Sequence, residues 1–289
     1  MMIVYGLSAL LTVFLWWFST GLVLSLNYLP ERRFPWGFAG ATGGLVLALV
    51  GIVATRDATS LWSAYLAFAS GLLCWAWLEV SYYMNIVTGT YKRPCPDATT
   101  GWRRFALAIQ TSIYHELAVV GLTSLVVALT WNSANPIAAW TMLVLWLMRW
   151  SAKLNVYLGV PNLNEDWLPA HLDFLKSFIA KRPMNLLFPI SVTAATVAAV
   201  IIFQQALEPT RPAFEAAGLT LVATLLILAI LEHWLLVLPL PDGALWGWSK
   251  PRQPSNSTPE AQPGNEDRQP FAAPMPSGGF IHARINDSA

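Results

Sequence analysis

Apolar residues run along this chain in long blocks separated by short polar stretches, and the blocks are the length of membrane-crossing helices. A helix needs about 20 apolar residues to cross a hydrocarbon core. Seven blocks meet that length: Ile3–Leu26, Phe38–Ala54, Leu61–Val87, Phe105–Trp131, Ile137–Leu158, Leu186–Leu207 and Phe214–Leu238. The second is short and rich in glycine. The first has no Lys or Arg ahead of its apolar run and reads as a retained helix rather than a cleaved signal. The pattern predicts an all-α integral membrane protein, a bundle of about seven transmembrane helices over residues 1–244.

Between the fifth and sixth blocks the period changes. Leu168, Leu172, Leu175 and Ile179 recur at helical spacing within residues 167–181, with His171, Asp173, Lys176 and Lys181 between them. This predicts an amphipathic helix lying in the membrane interface, as a linker or a docking platform. After about residue 245 the apolar blocks stop. Residues 249–265 are rich in Pro, Ser, Gln and Asn, which cannot bury a core, and 245–289 is expected to be a disordered tail.

Charge adds orientation. Only 11% of residues are charged and 55% are hydrophobic, against about 25% charged in ordinary soluble proteins. Soluble enzymes and basic-faced nucleic-acid binders are poor fits. Arg32, Arg33, Lys92, Arg93, Arg103, Arg104, Lys176, Lys181, Arg182, Lys250 and Arg252 fall on one side of the blocks, and only Arg56 and Arg211 on the other. The positive-inside rule then places the N-terminus in the periplasm and the C-terminus in the cytoplasm of a bacterial inner membrane. Seven spans satisfy that placement.

A few ionisable residues lie inside the blocks, where charge is costly and marks either structure or function. They are Glu79, His115, Glu116, Arg149, Lys153, Glu232 and His233. Arg149 and Lys153 are four apart and share a helix face. At 1.5 Å per residue, the predicted ends put Glu79 roughly 12–15 Å inside its helix, His115 and Glu116 roughly 15 Å, Arg149 roughly 14 Å and Glu232 roughly 9 Å. All seven fall in the cytoplasmic half. Three readings stay open: a structural ion-pair network, a ligand or metal site that includes a chlorin magnesium held through His, and partner-facing or snorkelling side chains. His115-Glu116 is not HExxH, since Val119 stands where the second His would be. No GxSxG, P-loop, dinucleotide fingerprint or CxxC is present, and no catalytic residue or metal ligand is assigned. Cys74 and Cys95 sit at different depths and are not expected to pair.

Four stretches carry a resemblance. They are residues 148–178 (MRWSAKLNVYLGVPNLNEDWLPAHLDFLKSF), 14–21 (FLWWFSTG), 98–104 (ATTGWRR) and 114–116 (YHE). They resemble the PuhE family of purple phototrophic bacteria, also known as photosynthetic complex assembly protein 2, over roughly residues 1–240. The resemblance implies a membrane factor for building the reaction centre and its light-harvesting antenna, encoded near the gene for the reaction-centre H subunit. Reaction-centre and light-harvesting subunits, other assembly factors and the lipid bilayer are the implied partners, and bacteriochlorophyll or a precursor is the implied pigment. Asn155, Gly159, Pro161, Asn162 and Glu165 belong to the shared signature, with no role attached. A carrier for a pigment precursor or ion, and an intramembrane metal-dependent enzyme, are the alternatives.

Overall fold

The computed structural model describes residues 1–162, 168–239 and 245–249. Among the described residues eight α-helices carry the fold: α1 (Met2–Asn27), α2 (Phe34–Thr55), α3 (Leu61–Tyr83), α4 (Gly101–Gln110), α5 (Ile113–Leu129), α6 (Ile137–Leu158), α7 (Leu187–Ala206) and α8 (Ala213–Leu235). Among the described residues there is no β-sheet, only an isolated bridge between Val160 and Lys181.

Five helices, α1, α2, α3, α7 and α8, are long and apolar enough to cross a membrane, and the bent pair α4–α5 makes a sixth if it counts as one span. These lengths are consistent with a multi-pass membrane protein. The glycine-rich second block is one of the five. Its helix starts earlier than the pattern indicates, with Pro35 in the first turn where no N–H is needed. Helix α6 is long enough but falls outside this set, because its second half carries Arg149, Ser151, Lys153 and Asn155.

The fourth predicted block is corrected. Residues 105–131 are not one helix: α4 and α5 meet at a 64° bend. The polar run Gln110-Thr111-Ser112 sits at the break. Thr90 and Tyr91 N–H groups both donate to the Gln110 carbonyl, and His115 N–H donates to the Thr88 carbonyl at 2.9 Å. The break is therefore laced to the loop after α3. Gly89 makes this possible, since a Cβ there would lie 2.1 Å from the Gln110 carbonyl oxygen.

Helix burial sorts the bundle. More than half of the apolar window of α3 and of α8 is buried, against under a third for α1, α2 and α7. Helices α3 and α8 are thus central, and the others present apolar side chains outward, such as Leu47, Val50 and Ile190. Such faces suit contact with lipid tails. Trp36 and Trp102 are exposed at one end of the bundle, and Trp62 and Trp131 at the other, as expected of indoles at membrane–water boundaries. Helices α3 and α6 approach closely because Gly71 has no side chain: a Cβ would lie 3.0 Å from Thr141 Cβ. At the end of the bundle opposite Glu79 and Arg149, buried Asn135 donates to the carbonyls of Thr55 and Ser63, both at 3.1 Å, and accepts from Ile137 N–H. One side chain thereby ties the end of α2 to the starts of α3 and α6.

The interfacial segment is shorter than its pattern. A 3-10 helix covers Ala170–Phe178, whereas the pattern indicates an α-helix over 167–181. Leu172 is buried, and the His171 ring donates through Nε2 to the Tyr83 carbonyl at 2.7 Å. The segment is pinned to the end of α3. The tail beyond residue 249 and Glu165 lie outside the described residues.

A charged cavity between the central helices

A cavity of about 630 Å³ is bounded by α1, α3, α4, α5, α6 and α8. Its wall is mostly apolar. Five of the seven ionisable residues picked out within the apolar blocks line it: Glu79, Glu116, Arg149, Lys153 and Glu232. His115 and His233 do not.

The charges form two pairs across α6. Arg149 donates to Glu79 Oε2 at 2.9 Å, joining α6 to α3. Lys153, one turn further along the same face, is paired with Glu116 on α5. Trp150 Nε1 donates to the other Glu116 oxygen at 2.7 Å. Lys153 also stands 5.4 Å from the centre of the Tyr82 ring, within reach of a cation–π contact. The spacing of Arg149 and Lys153 explains the geometry: residues four apart lie one above the other on a helix, so each meets a different neighbour. Pairing offsets part of the cost of removing each charge from water.

Glu232 is different. Its described partner is the indole of Trp16, which donates to Oε1 at 2.6 Å. No Lys or Arg lies within salt-bridge distance among the described residues. Trp246, from the segment after α8, packs edge-on against Trp16 with ring centres 5.4 Å apart. It donates to the Trp17 carbonyl at 2.9 Å, and Trp17 donates back to the Leu245 carbonyl at 2.9 Å. The indoles of Trp16 and Trp246 thus line the cavity wall beside α1.

The histidines are placed apart. His115 is fully buried, stacks obliquely on Tyr82 at 4.7 Å, and neither ring nitrogen has a hydrogen-bond partner among the described residues. His233 bonds the Ala229 carbonyl through Nδ1 and Ser151 Oγ through Nε2, both at 2.9 Å. The carbonyl can only accept, so Nδ1 carries the proton and the neutral ring accepts from Ser151. This staples α8 to α6. Among the described residues no three His, Cys, Asp or Glu side chains gather as a metal site.

Three groups lie nearer their helix ends than the sequence pattern indicates. Helix α3 stops at Tyr83, where Asn85 adopts positive φ, so Glu79 is about 6 Å from its end at 1.5 Å per residue. His115 and Glu116 begin α5 rather than sitting mid-helix. Glu232 lies about 5 Å from the end of α8 by the same rise. Arg149 stays near the expected depth.

The signature residues knit helix ends. Asn155 is buried and bonds back to the Ser151 carbonyl. Gly159 has φ of +122°, and its carbonyl accepts from Asn185 Nδ2 at 2.9 Å. Asn185 in turn caps α7 through the N–H groups of Leu187 and Phe188. Asn162 donates to the Leu235 and Leu238 carbonyls at the end of α8. Pro161 is exposed between them. Sequence reasoning missed Trp16, Trp150, Ser151, Asn185 and Trp246 as partners. The run Trp16-Trp17 was visible, but nothing in a single sequence says which carboxylate an indole will meet.

Comparison with known proteins adds a family. No solved structure matches the chain. A relative from Rhodobacter capsulatus, described as an uncharacterized 30.4 kDa protein in the puhA 5′ region, is 36% identical over 267 residues. The match spans 89% of this chain and 96% of the relative. The model of a protein family of unknown function, DUF3623, matches residues 2–257, so the chain belongs to the DUF3623 family.

Proposed function

We propose that this protein is a membrane-embedded assembly factor of the PuhE type, acting in construction of the photosynthetic reaction centre and its light-harvesting antenna. The observation that carries this reading is the Rhodobacter capsulatus relative, named for its position in the puhA 5′ region and alike over nearly its whole length. That position agrees with the gene neighbourhood the sequence resemblance implies. A phototroph's inner or intracytoplasmic membrane is the corresponding location.

In this reading α6 crosses the membrane as a seventh span. Its 22 residues reach about 33 Å, and its two cations are each paired with a carboxylate. The N-terminus is then periplasmic, and the basic loops and the tail from 245 onward are cytoplasmic, where excess Lys and Arg belong. The segment at Ala170–Phe178 and the basic loops would present the docking surface for reaction-centre or antenna subunits.

Bacteriochlorophyll held through imidazole does not fit this cavity, because neither His115 nor His233 lines it. Pigment supply would then be affected through partners rather than through a magnesium ligand here. The cavity does support a second reading, a carrier for a small amphiphile, which flux into proteoliposomes above the empty-liposome rate would favour. Affinity purification from phototrophically grown cells tests the assembly role. Reaction-centre or antenna subunits should co-purify; a preparation reproducibly free of them speaks against it.

A further inference from the structure

We infer that the cavity between α1, α3, α6 and α8 is a binding site for an amphiphile with an ammonium head, seated against Glu232, Trp16 and Trp246. Three observations converge. The first is charge balance. Among the acids on the cavity wall, Glu79 is matched by Arg149 and Glu116 by Lys153, whereas among the described residues Glu232 is held by an indole N–H alone. Counted formally, with each carboxylate −1 and each Lys or Arg +1, the described wall residues sum to −1. One bound monocation neutralises it, and an anionic head would add to the imbalance.

The second is ring geometry. Trp16 and Trp246 cross at 69° with centres 5.4 Å apart, and both line the cavity with Glu232. Two indoles meeting at a wide angle beside a carboxylate form the kind of walls that receive ammonium groups through cation–π attraction. The Trp16 N–H is committed to one Glu232 oxygen, and the second oxygen is left to accept from an ammonium N–H.

The third is volume and polarity. A cavity of about 630 Å³ lies within the range of roughly 300–1,000 Å³ usual for small-molecule sites. Leu24, Leu72, Leu145 and Met148 on the wall give a hydrocarbon tail its place. The inference concerns this cavity alone and does not depend on the assembly role.

The test uses the full chain in dodecyl maltoside micelles, which carry no charge. Three probes share one tail: 12-bromododecylammonium, 12-bromododecanol and 12-bromododecanoate, read by bromine quenching of tryptophan fluorescence. The ammonium probe should bind at least tenfold more tightly than the alcohol, and the carboxylate most weakly. Glu232→Gln, which keeps an oxygen for Trp16, should bring the ammonium and alcohol probes within about twofold. Trp246→Leu, tested separately, should weaken the ammonium probe by about tenfold and leave the alcohol unchanged. Competition by a short-chain phosphatidylethanolamine marks a lipid headgroup as the source, and its failure to compete marks a free hydrophobic amine. Carboxylate binding as tight as ammonium binding, or an ammonium preference that survives Glu232→Gln, overturns the inference.

Discussion

Removing one member of the Arg149–Glu79 pair should cost far more than removing both. The two charges meet at 2.9 Å, so their attraction is about 1.4 kcal/mol at the dielectric of water and about 6 kcal/mol at an effective dielectric of about 20. The pair sits between these limits, with the Glu79 side chain 11% exposed and the Arg149 side chain 32% exposed toward the cavity. A lone charge left in such a site typically costs about 3–5 kcal/mol, whereas apolar replacement of both partners is often neutral. Because Arg149 opens onto the cavity, the lower end applies. We expect Arg149→Met and Glu79→Leu each to destabilise by about 3 kcal/mol, and the double variant by about 1 kcal/mol. Reversible unfolding in mixed micelles, followed by tryptophan fluorescence, measures all three. Single effects that add to the double effect within about 0.5 kcal/mol would mean that the two side chains are not coupled, and the argument from pairing would fail.

Three further outcomes follow from particular contacts. Gly89→Ala should destabilise by about 2–3 kcal/mol through overpacking against the α4–α5 break. Gly121→Ala should cost nothing measurable in the same melt, since nothing lies within 4 Å of its added Cβ; equal effects would contradict this account of the break. Asn135→Ala should cost about 3 kcal/mol, because the carbonyls of Thr55 and Ser63 lose their buried donor, and a loss under about 0.5 kcal/mol would refute that role. His115→Leu should leave stability unchanged or raise it by about 1–2 kcal/mol, since neither ring nitrogen has a partner among the described residues; a clear loss in the unfolding titration would show that the imidazole has a partner.

Apolar block length carried the helical architecture, because a helix that crosses a bilayer must cover the hydrocarbon core. Even the glycine-rich second block formed its helix. The fourth block misled for a physical reason. Residues 105–131 are apolar enough for one span, and the bend comes from backbone bonds between Gln110 and the loop at Thr90 and Tyr91, contacts between parts of the chain that no local pattern encodes. The polar run at 110–112 was the available signal. Likewise, Arg149 and Lys153 were legible as one face of a helix, but their separate partners on α3 and α5 depend on how the helices are packed. The apolar period at 168–179 marked an amphipathic segment, and the 3-10 geometry follows from tertiary anchors such as His171 on the Tyr83 carbonyl. For the signature residues the sequence indicated a motif, and the structure shows Asn155, Gly159 and Asn162 joining helix ends.

The assembly role is tested most directly by deleting the puhA-region relative in Rhodobacter capsulatus, restoring it with this chain, and recording near-infrared absorption of the membranes per cell. The proposal predicts that deletion lowers or distorts the reaction-centre and antenna bands and that this chain restores them in part or in full. Bands identical to the parent strain after deletion would contradict it.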